Sequence, residues 1–218
     1  MEMEPIFEDR VDAGRCLAER LAPLVPEAGC LVLALPRGGV PVGAEVARAL
    51  NGKLDVFLVR KLGLPGHEEL AIGAIASGGI RVLNEPLIRE VGLSRKIIDQ
   101  ITGQEEGELK RREELYRQGQ PALNVKGCEV VLVDDGLATG ATMQAAIQAL
   151  RQKRPKRIIV AVPVAPEQTC DRFRKLVDEV VCAYTPEPFM AVGIWYHDFS
   201  PTTDEQVQKL LRSAQQHS

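Results

Sequence analysis

Five short apolar runs, separated by amphipathic stretches, constrain this chain more than any other feature. Residues 31–35, 54–59, 130–133, 158–162 and 179–183 each read as a strand. Most are apolar at nearly every position, as a strand covered on both faces requires. Between the runs, apolar residues return at helical spacing: Val42, Val46 and Leu50, then Met143, Ile147 and Leu150, then Cys170, Phe173 and the Leu176–Val177 pair. Strand–helix–strand repetition of this length implies right-handed βαβ units and a mainly parallel sheet flanked by helices, an α/β class.

Two segments break the rhythm. Residues 71–76 and 80–84 flank Ser77-Gly78-Gly79 and predict a small hairpin on the sheet edge. Residues 94–118 are mostly polar, with Ile97, Ile101, Leu109 and Leu115 as the apolar minority. They predict a long surface helix that packs by one narrow stripe, with Gly103 or Gly107 as the point of any interruption. The chain changes character at Thr185-Pro186-Glu187-Pro188, and aromatics then cluster at Phe189, Trp195, Tyr196 and Phe199. A short helix follows from about Asp204, its start resembling a capping box at Thr202 and Glu205. Residues 1–184 are expected to form the core, and residues 185–218 a cap that does not fold alone.

A formal net charge of -3 argues against a broad nucleic-acid footprint. The five cysteines, Cys16, Cys30, Cys128, Cys170 and Cys182, show neither CxxC spacing nor histidine partners, so a metal cluster is not expected. Their odd number, and an opening Met-Glu-Met-Glu-Pro without a basic-then-apolar layout, predict a reducing, cytoplasmic setting. No apolar run approaches the roughly 18–20 residues that cross a bilayer, so no membrane partner is expected.

Chemistry concentrates where the run 130–133 ends in Asp134-Asp135, followed by Gly136-Leu137-Ala138-Thr139-Gly140-Ala141-Thr142 and a helix. In an open α/β sheet, ligands bind outside the carboxyl ends of the strands. The small-residue loop offers backbone N–H groups and the Thr139 and Thr142 hydroxyls at a helix N-terminus, where an anion is favoured. Adjacent carboxylates suit a vicinal diol or a hydrated Mg²⁺. Phosphate donors beside diol acceptors describe a ribose phosphate. An acidic strand end with a plain glycine turn is the blander alternative. Neither a Gly-x4-Gly-Lys-Ser/Thr loop nor a Gly-x-Gly-x-x-Gly fingerprint occurs.

At these residues the sequence resembles the type I phosphoribosyltransferase family, whose fingerprint is four apolar residues, two acids, two mostly apolar residues and Thr/Ser-Thr-Gly-x-Thr. The resemblance implies a Rossmann-like, mainly parallel sheet with a small C-terminal hood. It implies that Asp134 and Asp135 bind the ribose hydroxyls and meet Mg²⁺ indirectly, through substrate or water, and that Ala138, Thr139, Gly140, Ala141 and Thr142 wrap the 5-phosphate. The family usually carries Thr or Ser at the place of Ala138, and 6-oxopurine members carry an Asp proposed as base; Ala138 offers only its N–H. A pyrophosphate loop, often with an unusual peptide conformation, is expected at Pro36-Arg37-Gly38-Gly39, with Arg37 as a planar cation and Gly38 as a permissive position. Arg60 and Lys61, ending the second core strand before a flexible lid over residues 62–69, are expected to meet the leaving pyrophosphate. His67 reads as a lid residue or an exposed loop histidine. The chain as a whole is similar to a branch of the family whose members mostly lack an assigned acceptor.

In the family the acceptor lies under the hood, here residue 185 onward. The aromatic, apolar-Gly and Asp pattern from Phe189 to Asp198 is similar to purine-specific members, with the Gly-to-Asp spacing one residue longer. Trp195 and Tyr196 are the candidates to stack on a base, or else pack the cap onto the sheet. The implied function is Mg²⁺-dependent phosphoribosyl transfer from 5-phosphoribosyl-1-diphosphate to a nitrogenous acceptor, by a homodimer. The alternatives are a regulatory protein that senses phosphoribosyl diphosphate or a nucleotide, and a hydrolase with Asp134 as nucleophile.

Overall fold

The computed structural model describes residues 4–26 and 29–216. Residues 1–3 of the opening read above, and the side chains of Glu68 and Glu69 at the end of the expected lid, lie outside the described residues. The first helix, α1 (Arg10–Leu21), starts where the Asp9 carboxylate accepts from the N–H groups of Val11 and Asp12. There follow β1 (Leu31–Ala34), α2 (Gly39–Ala49), β2 (Lys53–Val56), β3 (Val59–Leu64), β4 (His67–Ala76), β5 (Ile80–Leu83), α3 (Glu85–Glu90) and α4 (Arg95–Arg117). The chain continues through β6 (Glu129–Val133), α5 (Ala141–Gln152), β7 (Arg157–Val164), α6 (Glu167–Arg174), β8 (Glu179–Tyr184) and α7 (Asp204–Gln215).

The main sheet runs β2-β1-β6-β7-β8, and every neighbouring pair is parallel. Its strands alternate between two cores. Val32, Ala34, Val131, Val133, Ile159 and Ala161 pack on the side of α1, α2 and α7. Leu31, Leu33, Val130, Leu132, Ile158 and Val160 pack on the side of α5 and α6. Coverage on both faces explains why the sequence showed continuous apolar runs instead of alternation. Strand order reverses between β1 and β6: β1 leads outward to β2, and β6 outward to β7 and β8. In open α/β sheets such a switch point is where ligands bind, in the crevice between the loops that follow the two strands.

Several expectations need correction. The run 54–59 is not one strand. It leaves the main sheet after Val56, and Val59 opens β3 in a second, antiparallel sheet of order β3-β4-β5. Buried Asp55 holds that departure, accepting from Arg117 Nε at 3.1 Å and from the N–H of Leu123 at 3.1 Å. The hairpin of 71–76 and 80–84 therefore belongs to this separate sheet, not to the edge of the main one. Residues 62–69, expected as a flexible lid, form the tip of the β3–β4 hairpin, with Gly66 at φ +79° in the turn. Helix α4 runs unbroken through Gly103 and Gly107, and its buried stripe is Ile98, Thr102, Leu109 and Tyr116, while Ile97 is exposed. The capping box of α7 lies one residue later than expected, at Thr203 and Gln206. Cys170 and Cys182, expected in a reducing setting, are joined as a disulfide between α6 and β8.

The segment beyond β8 is sewn to the N-terminal segment. Ile6 and Phe7 donate to the Trp195 carbonyl at 2.9 and 3.0 Å, and His197 donates back to the Phe7 carbonyl at 2.8 Å. Among the described residues, no helix is long and apolar enough to cross a membrane.

Candidate functional site

The crevice is floored by the loop after β6. Leu137 donates to the Val164 carbonyl at 3.0 Å, which ties the loop to the end of β7. From α6, Thr169 Oγ1 donates to the Ala138 carbonyl at 3.0 Å, and Arg172 donates to the Thr139 carbonyl. Gly140 caps α5 at φ +70°, a conformation that favours glycine, and a Cβ there would fall 2.5 Å from the Phe173 ring. With its carbonyls held from α6, the loop has its N–H side free to meet an anion at the start of α5. Ala138, Thr139, Ala141 and Thr142 are exposed, as a binding loop must be.

Asp134 and Asp135 lie partly buried above this floor. Burial, with neighbouring Asp135 adding to it, pushes the Asp134 carboxyl well above the usual carboxylate range, against the N–H of Asp135 at 2.9 Å. Burial also raises Asp135, opposed by Arg10, whose Nε donates to Asp135 Oδ2 at 2.9 Å. Such a pair gains by meeting hydroxyl donors or a cation. The other wall is the loop after β1. The Pro36–Arg37 peptide is cis, and Gly38 lies so close that a Cβ would sit 2.0 Å from Asp135 Oδ2. Gly39 is pressed the same way against the end of β6, 2.9 Å from the Val133 carbonyl. Arg37 is half exposed, with Nη1 3.9 Å from Asp204 Oδ1 at the start of α7; the same Asp204 oxygen accepts from Tyr116 Oη at 2.7 Å.

Arg60 and Lys61 do not end a core strand; they lie within β3. They line a cleft of about 590 Å³ that Thr142 reaches from the other side, so the hairpin and the loop after β6 share one space. Arg60 Nε donates to Glu105 Oε2 of α4 at 2.6 Å. His67 is exposed at the start of β4. Trp195 and Tyr196 are both buried and do not present faces to a ligand. Tyr196 lies between the Phe7 and Phe199 rings at 5.4 and 5.0 Å, and its hydroxyl donates to the Asp135 carbonyl at 2.6 Å. They pack the cap, because the aromatic residues there face one another. A hollow of about 560 Å³ opens instead between the start of α6 and the cap, lined by Glu167, Gln168, Glu187 and Phe189 among others.

Sequence reasoning missed Arg10, Asp204, Glu105, Thr169 and Arg172. The polar character of each was visible, but none adjoins the acid pair, the Arg37 loop or the Arg60-Lys61 pair in sequence, and only the fold brings them there.

The family model of the phosphoribosyl transferase domain matches residues 64–189. This chain belongs to that family. Two Mycobacterium tuberculosis proteins, named "Putative phosphoribosyl transferase" Rv0571c and MT0597, are each 46% identical over 96% of the chain. The chain spans 47% of the length of each, so about half of these relatives has no counterpart in it. The crystal structure of TT1426 from Thermus thermophilus is 46% identical, covers 97% of this chain and 99% of its own, and superposes with a TM-score of 0.86. A Neisseria gonorrhoeae protein solved with ppGpp bound matches at 12% identity and a TM-score of 0.50 over 98% of both chains, a likeness of fold alone. The phosphoribosyltransferase family thus supplies the frame for reading the crevice.

Proposed function

We propose that the protein transfers the 5-phosphoribosyl group of 5-phosphoribosyl-1-diphosphate to a nitrogenous acceptor, with nucleobases the first class to test, and releases pyrophosphate in a Mg²⁺-dependent reaction. One observation carries the reading: the acid pair with its anion loop and the Arg37 loop face each other across a single switch point, with Gly38 against Asp135. Ribose hydroxyls are donors for Asp134 and Asp135, and the 5-phosphate meets the N–H groups and hydroxyls of 138–142.

In the reaction the C1–O bond to pyrophosphate breaks as the acceptor nitrogen forms a bond to C1 and gives up its proton. Ala138 carries no group to take that proton, so it passes to water or leaves with a substrate group. Catalysis by this chain is then positioning and charge stabilisation. Arg37, Arg60 and Lys61 stabilise the departing pyrophosphate. No cluster of three or more metal-binding side chains occurs among the described residues. Asp134 and Asp135 would hold a Mg²⁺ indirectly, through substrate or water, and the ion would supply charge neutralisation at the pyrophosphate. Phe189, half-buried beside the hollow at the cap, takes the stacking role first given to Trp195 and Tyr196.

A second reading, sensing without chemistry, is favoured by the missing side-chain donor at Ala138. The test is pyrophosphate release from phosphoribosyl diphosphate with purines, pyrimidines and other amines. Release that requires one acceptor supports transfer; donor binding without release from any acceptor supports the sensor.

A further inference from the structure

Arg10 is the first residue of α1, where the helix dipole disfavours a cation, and its side chain is only 11% exposed. Three partners hold its guanidinium there. Nε donates to Asp135 Oδ2 at 2.9 Å, Nη1 donates to the Ser200 carbonyl at 2.7 Å, and Cζ lies over the Phe199 ring, 3.9 Å from its centroid. A Cβ on Gly38 would come 2.0 Å from Asp135 Oδ2 and 3.3 Å from Arg10 Nε, so the ion pair is clamped between α1 and the β1 loop. Fastening the N-terminal segment to the cap does not require this residue. The backbone bonds of Ile6, Phe7, His197 and Asp198 already do it, with the Phe7 ring in the aromatic cluster.

We propose that Arg10 is a positioning residue for the donor site, fixing one oxygen of Asp135 from the cap side so that the carboxylate is pre-set for the ribose. The inference rests on the phosphoribosyl diphosphate reading given above. A guanidinium suits the task and an ammonium does not, because it serves a carboxylate, a carbonyl and a ring face in one rigid plane. It also makes the order of the cap, through Phe199 and Ser200, a condition for a correctly set ribose acid.

The test is calorimetric titration of the full chain with phosphoribosyl diphosphate and Mg²⁺, with thermal melting run in parallel. Arg10→Met is expected to weaken donor binding roughly ten- to a hundredfold, the size of a lost charge-assisted hydrogen bond, with little change in melting. In Arg10→Ala, which vacates the side-chain space as Met does not, millimolar methylguanidinium is expected to restore part of that loss. Arg10→Lys should fall between wild type and Arg10→Met, and Phe199→Leu should cost a few-fold. Wild-type affinity in either Arg10 variant overturns the inference and leaves the donor-site reading intact. A loss that tracks a lower melting point and does not respond to methylguanidinium reduces Arg10 to a fold staple and also overturns it. Should Arg10→Met not fold, Arg10→Lys with wild-type affinity overturns the proposal and a partial loss at unchanged melting supports it. Absence of binding in the wild type removes the donor-site reading itself, and the inference with it.

Discussion

Gly38 has an ordinary helical φ of -59°, so only the closeness of Asp135 demands a glycine there. Gly38→Ala must push the Asp135 carboxylate aside, and we expect about 1–3 kcal/mol lost stability and at least a tenfold weaker donor affinity, read by melting and titration. Tyr116 is a second informative residue. Burial first, and then its hydrogen bond to Asp204, push its hydroxyl up from 10.0 to about 12. A group raised in the folded state stabilises fully below its unfolded value and loses that contribution as pH climbs through the folded one. The stabilisation is therefore present below pH 10 and fades between 10 and 12. Tyr116→Phe should cost about 1 kcal/mol at neutral pH, and the deficit should shrink across that window in denaturant titrations. Equal deficits at pH 8 and pH 12 would contradict the assigned bond. The motif residues at this scale were legible because they adjoin in sequence. Asp204, which gathers Tyr116 and Arg37, was not, because its partners lie 88 residues away and further.

Among elements, α4 shows where local signals mislead. Glycines at 103 and 107 suggested interruptions, yet a Cβ at either meets nothing within 4 Å, so the helix only carries their entropic cost. Gly103→Ala should raise stability by about 0.5–1 kcal/mol, measured as a higher melting temperature. A fall would mean that α4 is not continuous there. The five core strands were legible because burial on both faces makes them uniformly apolar. Residues 57–62 were not: Phe57 and Leu58, between β2 and β3, and Leu62, in the second sheet, are all as buried as main-sheet residues, and composition does not say which sheet a strand joins. The same reassignment carries Arg60 and Lys61 from a strand end into β3, still lining the cleft that Thr142 reaches.

For the whole molecule, the order of the sheet makes the site. Reversal between β1 and β6 opens the crevice, α6 holds the loop after β6 from below, and Arg10 and Tyr196 hold Asp135 from the side of the cap. The fold class and the acidic, small-residue loop after β6 were readable from the chain because each is a local pattern repeated or concentrated. The burial of Trp195 and Tyr196 was not, since an aromatic cluster reads alike whether it faces a ligand or itself. The chain also spans about half of its Mycobacterium tuberculosis relatives, so the activity of those longer proteins has to be established for this one directly. The central claim is that the crevice binds phosphoribosyl diphosphate through its acid pair. Calorimetric titration of the purified chain with 5-phosphoribosyl-1-diphosphate and Mg²⁺, beside the Asp134→Asn/Asp135→Asn variant, tests it most directly. Saturable binding in the wild type, lost in a variant that still melts cooperatively, is the predicted result; no binding in the wild type, or equal binding in both, would contradict the account.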